Sequence, residues 1–152
     1  PMKTIEGDLI ELADAGRFDV IIHGCNCFHS MGAGIAAQIA KRWRSVLYAD
    51  LDTEHGGRAK LGGYSWVDVQ TKGGARLSVV NAYTQHIPGP DANLAWIEGA
   101  MREVAGDFDP SLRIGYPMIG CGIGGLGWRD VAPIMDAAFD GRDHTLVVLP
   151  TR

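Results

Sequence analysis

Two turns in this chain expose runs of backbone that no side chain covers. One is Gly32-Ala33-Gly34, within His23-Gly24-Cys25-Asn26-Cys27-Phe28-His29-Ser30-Met31-Gly32-Ala33-Gly34-Ile35. The other is Gly120-Cys121-Gly122-Ile123-Gly124-Gly125-Leu126-Gly127. Successive unhindered N–H groups ahead of a helix make a concavity that binds anions, phosphates above all. Two such loops suit a ligand with two phosphates, or with one long phosphate bridge. A tight turn packing helix on sheet would explain either loop alone; their matching positions favour anion binding.

The side chains around these turns suit hydrolysis. Removing a phosphoryl or glycosyl group needs a positioned water, a proton acceptor or donor, and charge stabilisation. The Asn26 amide can orient hydroxyls. His23, His29 and His86 are candidates for proton transfer, because imidazole titrates near neutrality. His23 lies at the mouth of a strand and reads equally as a buried imidazole that shapes the turn; His29 reads better as a solvated loop residue. Cys121 has no base fixed beside it in sequence, so small-residue packing is the better reading. Cys25-Asn26-Cys27 is too tightly spaced for a zinc knuckle and no second pair exists, so no metal and no cofactor are expected. The second loop matches G-x-G-x-x-G, a weak signal alone. It comes late in the chain without an acid ending the next strand, which argues against a dinucleotide-binding Rossmann unit. The absence of G-x-x-x-x-G-K-S/T excludes P-loop NTPase chemistry.

Elements must hold these residues in place, and hydrophobic periodicity supplies them. Phe18 to His23 is short, β-branched and closed by Gly24: a buried strand. Ile35, Ile39, Trp43 and Val46/Leu47 recur at helical spacing, so one helix opens directly after the first loop. Tyr64 to Val69 and Leu77 to Ala82 read as strands about the break Lys72-Gly73-Gly74, with Trp66 alternating inward. Leu94, Ile97, Met101 and Val104 form the stripe of a second helix capped by Asp91. Arg113 to Ile119 is a strand leading into the second loop. A third helix follows, with Val131, Ile134/Met135 and Ala138 inward and Pro133 in its first turn. His144 to Leu149 is a last strand. Alternating strands and helices imply an α/β layer sandwich, in which ligands sit beyond the carboxyl ends of strands. Both glycine loops fall at such ends.

Composition bounds the rest. A chain of 152 residues is one domain by length. Apolar residues are 46% and charged residues 21%, the balance of an ordinary globular protein. The net charge of −4, with no basic cluster, argues against broad capture of nucleic acid. Three unpaired cysteines suggest a reducing compartment. No membrane-length apolar run or signal segment stands out, and Pro1 ahead of Met2 reads as an addition. The expectation is a cytoplasmic monomer without membrane contact, its domain spanning 2–152.

Taken in order, the motifs resemble the macrodomains, a family that binds ADP-ribose, over nearly the whole chain. Glu6-Gly7-Asp8-Leu9 is similar to the family's opening Gly-Asp-Ile/Leu, whose Asp accepts from the adenine amino group. Asp19-Val20-Ile21-Ile22-His23-Gly24-Cys25-Asn26 resembles its apolar strand and Asn-Ala-Ala-Asn turn. Gly32-Ala33-Gly34-Ile35 is similar to its first phosphate loop, and Ile119 to Gly127 to the second, which wraps the pyrophosphate and distal ribose. Met31 to Ala36 and Gly120-Cys121-Gly122-Ile123 resemble the branch of terminal ADP-ribose glycohydrolases and ADP-ribose-1″-phosphate phosphatases. The resemblance implies a three-layer α/β/α fold with a mixed, mostly parallel central sheet. It also implies an ADP-ribose site built from Gly7, Asp8 and Leu9, from Asn26, His29 and Met31 to Ile35, and from Gly120 to Leu126.

Departures from the family bear on chemistry. His23 stands where many members have the first Asn, while Asn26 keeps the second. Ala36 and Gly124 stand where catalytic branches carry acids, and Tyr83-Thr84-Gln85-His86 holds no lysine. Gly124 is expected to open space at the distal ribose. The leading expectation is a hydrolase removing the 1″-phosphate, or an ADP-ribosyl link to protein or nucleic acid, through Asn26, His23 and His86. The alternative is a reader module that binds without turnover. A binder of other nucleotides or RNA fragments is a third reading.

Overall fold

Among the described residues, every strand but one runs the same way. The computed structural model describes residues 1–150. Its six strands lie in the order β1-β6-β5-β2-β4-β3. They are β1 (Lys3–Glu6), β2 (Val20–Cys25), β3 (Tyr64–Gln70), β4 (Arg76–Tyr83), β5 (Ile114–Tyr116) and β6 (His144–Val148). Only β3 pairs antiparallel, with β4, across the expected Lys72-Gly73-Gly74 break. The helices are α1 (Leu9–Asp14), α2 (Gly34–Arg42), α3 (Arg44–Leu51), α4 (Leu94–Asp107) and α5 (Trp128–Ala138), with a 3-10 turn at Arg58–Lys60. The expected three-layer α/β/α arrangement with a mixed, mostly parallel sheet is present.

Strand alternation divides the core. Ile21 and Val79 pack with Leu9, Ala13, Ile39 and Val46, so α1, α2 and α3 cover one face. Val20, Ile22 and Val80 pack with Ile97, Met101, Val131 and Met135, so α4 and α5 cover the other.

Several elements differ from expectation. The single helix after the first loop is two, because Trp43 is extended (φ −133°, ψ 96°) between α2 and α3. Its indole N–H donates to the Gln70 carbonyl at 3.1 Å, which fixes the ring at the end of β3. Asn93, not Asp91, caps α4 by accepting from the Ala95 N–H. Asp91 instead receives the His86 and Ile87 N–H groups. Pro133 lies in the second turn of α5, since the helix starts only after Gly127. β5 stops at Tyr116 because Pro117 has no N–H to continue the ladder. Trp66 is largely exposed rather than inward, resting edge-on against Phe108. Neither β1 nor α1 was expected.

Candidate functional site

Adjacent parallel strands β2 and β5 send their chains to opposite faces: β2 into α2 on one side, β5 into α5 on the other. A crevice must open where such connections diverge, at the carboxyl ends of the strands. A cleft of about 700 Å³ is found there. Gly24, Thr84, Gln85 and Ile119 lie at its β4 end, while Glu6, Val148 and Leu149 close the end near β1 and β6. Ala33 to Ala36 form one wall and Pro117 to Gly124 the other, so both glycine loops face the same space.

Both walls present free amides. Ala33 is the N-cap of α2 and offers no side-chain bond, so the first-turn N–H groups of Gly34, Ile35 and Ala36 are uncapped. In the second loop, Gly120 takes a left-handed φ of 79° and its carbonyl receives the Leu126 N–H at 2.9 Å. That bond and Gly125 N–H to Gly122 O pinch the loop into a ring. Among the described residues, the N–H groups of Gly122, Ile123 and Gly124 have no backbone partner. Helix-dipole charge and two sets of amides therefore converge on one cleft. Exposed Met118, Ile123 and Leu149 give it an apolar rim.

The structure brings together Ala33, Gly34, Ile35 and Gly120 to Gly124, as the loops suggested. It sends other expected ligand residues elsewhere. Leu9 and Met31 are buried in the α1–α3 core. Gly32 does not line the cleft, Gly125 backs onto Pro90, and Leu126 packs into the opposite core. Gly7 bonds to the Val148 carbonyl, and Asp8 caps α1 through Glu11 N–H, both just behind Glu6. His29 has φ 58° and its ring is held on the Thr53 carbonyl.

The expected catalytic side chains do not line the cleft. His23 is fully buried, its Nε2 is 2.6 Å from Asn81 Oδ1, and burial lowers its pKa to about 4. Strand alternation is the reason: on β2 the face toward the cleft belongs to Gly24, and His23 turns toward α3. The Asn26 amide closes its own turn, accepting from Phe28 N–H and reaching Ser30 O. His86 is held between the Gly56 carbonyl and the Arg58 guanidinium. Cys121 does line the cleft, but partial burial pushes its thiol up, away from thiolate chemistry. Gly124 opens no space: a Cβ there would lie 2.7 Å from Gly120 O and 2.8 Å from Ala92 Cβ. Sequence reasoning missed Glu6, Thr84 and Gln85 as lining residues. Thr84 and Gln85 follow the end of β4, so the carboxyl-end rule applied to every strand would have found them.

No family model matches the chain. An uncharacterised 17.5 kDa protein of the tk-vs intergenic region of Enterobacteria phage T4 is 37% identical over 139 residues, covering 89% of this chain and 88% of that protein. Among solved structures, the macrodomain of Thermus aquaticus DarG is 18% identical with a TM-score of 0.79, covering 99% of both chains. The macrodomain of Mycobacterium tuberculosis DarG is 25% identical with a TM-score of 0.73, covering 100% of this chain and 99% of that one. Thermosipho africanus DarTG, solved in complex with ADP-ribose, matches all of this chain at 17% identity and a TM-score of 0.76. This chain spans 43% of that one. The chain belongs to the family of the phage protein, and its fold is the macrodomain fold.

Proposed function

We propose that this chain binds ADP-ribose in the cleft between the two glycine loops and hydrolyses a substituent on the distal ribose. One observation carries the reading. Uncapped amides of α2 and free amides of the second loop line opposite walls of one crevice, an arrangement suited to a phosphate-bridged ligand. The likeness to a Thermosipho protein solved with ADP-ribose supports it. The resemblance of Gly7-Asp8-Leu9 to the family's adenine-binding motif would put the adenine toward the Glu6–Leu149 end and the distal ribose toward the Thr84–Gln85 end. Substrates of this reading are ADP-ribose-1″-phosphate and ADP-ribosyl links to protein or nucleic acid. Asn26, whose turn follows β2, would have to release its bonds to Phe28 N–H and Ser30 O to orient the distal ribose.

A second reading, ADP-ribose recognition without turnover, draws on a separate observation. Ala36 carries no acid, Gly124 has no room for one, and His23 faces away. Calorimetry with ADP-ribose, followed by incubation with ADP-ribose-1″-phosphate and with ADP-ribosylated protein and DNA, separates the readings. Turnover that drops in Asn26→Ala supports the hydrolase. Tight binding with no product from any substrate supports the reader, and absence of binding sinks both.

A further inference from the structure

We propose that the Thr84 hydroxyl is the group that recognises the distal end of the ligand, which makes it the specificity determinant for ADP-ribose over ADP. The assignment rests on the ADP-ribose reading above. Thr84 is 1% exposed, and its Oγ1 has no hydrogen-bond partner among the described residues. A buried hydroxyl left unpaired is costly, so its retention calls for an explanation.

The backbone around it is fully occupied. Thr84 N–H donates to Cys25 O at 3.2 Å and its carbonyl accepts from Asn93 N–H at 3.1 Å, which fixes the residue between β2 and the start of α4. Alternation at the end of β4 points the Tyr83 phenol the other way, onto Asp50, and leaves Thr84 on the cleft side. The residue facing it on β2 is Gly24. A Cβ on Gly24 would lie 2.8 Å from Thr84 Oγ1, so any larger residue there would press on the hydroxyl from the β2 side.

The neighbouring side-chain donor is already engaged. The Gln85 Nε2 is committed to the carbonyls of Ile87 and Gly89. Among the described residues, the other buried side-chain atoms lacking partners are Asp50 Oδ2 and Arg142 Nε, and neither residue lines the cleft. Thr84 is thus the buried side chain at the β4 end of the cleft with a hydrogen-bonding valence to spare. An oxygen of a ribose seated there would supply the missing acceptor. ADP stops short of that end.

Calorimetry on wild type, Thr84→Val and Thr84→Ser with ADP-ribose and with ADP tests the assignment. The expected result is about tenfold weaker ADP-ribose binding in Thr84→Val, the size of one hydrogen bond. ADP affinity should stay within about twofold, and Thr84→Ser should restore most of the loss. The unliganded Thr84→Val protein should melt no lower than wild type, because a methyl replaces an unpaired hydroxyl. Unchanged ADP-ribose affinity in Thr84→Val, or equal losses for both ligands, would overturn the proposal. Failure of both variants to fold would assign the hydroxyl to stability instead. Wild-type protein that binds ADP but not ADP-ribose, or neither, would remove the underlying reading and this assignment with it.

Discussion

At the scale of single residues, the chemistry depends on which side chains the strands turn toward the cleft. On β2 that residue is Gly24, and His23 behind it is a structural base held neutral by burial. An unfolded histidine binds a proton near pH 6.5, whereas His23 does so only near pH 4. Between those values the unfolded state holds more protons, so acidification favours unfolding. His23 should therefore cost the protein stability from pH 6.5 down to about 4, cumulatively about 3 kcal/mol. Urea unfolding across this range should show a shallower acid limb in His23→Gln, which keeps a partner for Asn81 but does not titrate; equal limbs would contradict the burial argument. Gly124 is constrained just as tightly, by the Gly120 carbonyl and Ala92. Gly124→Ala should destabilise by about 1–3 kcal/mol, the usual cost of forcing atoms into a filled site. The same crowding means that Gly124→Asp should not raise turnover of ADP-ribose-1″-phosphate above the wild-type level, which a side-by-side assay would check.

Among the elements, α4 separates what a cap does from what a loop needs. Asn93→Ala removes the bond to Ala95 N–H and should cost about 1 kcal/mol in urea unfolding. Asp91→Ala should leave α4 intact but speed hydrogen exchange at His86 and Ile87, whose amides it holds beside the cleft. The sequence pointed to Asp91 because it stands nearest Pro90 and favours caps as strongly as Asn does; only the chain path tells the two apart. The same limit explains Trp43. Its helical spacing continued the stripe of Ile35 and Ile39, but a tertiary bond to Gln70 breaks the helix there. The long runs were legible: the β2 strand, the β3–β4 pair, α4 and both loops stand out by period and glycine. β1 and α1 are too short for periodicity to show, although Asp8 with Glu11 three residues later is a capping signal. Which face of β2 meets the cleft was not legible at all, because alternation specifies two faces without saying what lies against each.

Over the whole molecule, the loops act together only because β2 and β5 are neighbours and their helices lie on opposite faces. The sequence separates the loops by the entire β3–β4–α4 segment, and the sheet order brings them to one crevice. A ligand bridging that crevice must touch both walls at once, so its binding energy is shared between segments that no local contact links. Saturating ADP-ribose, at about a hundred times its dissociation constant, should add about 2.7 kcal/mol of stability. For a chain of this size that corresponds to a rise of roughly 5–10 °C in melting temperature. The same titration followed by hydrogen exchange should slow the amides of Gly34 to Ala36 and of Gly122 to Gly124 in parallel. The Lys72–Gly74 turn, outside the cleft, should exchange unchanged. Protection of one wall alone would mean that the ligand does not span the crevice, and a phosphate bridge held by both loops would then be the wrong picture of this site.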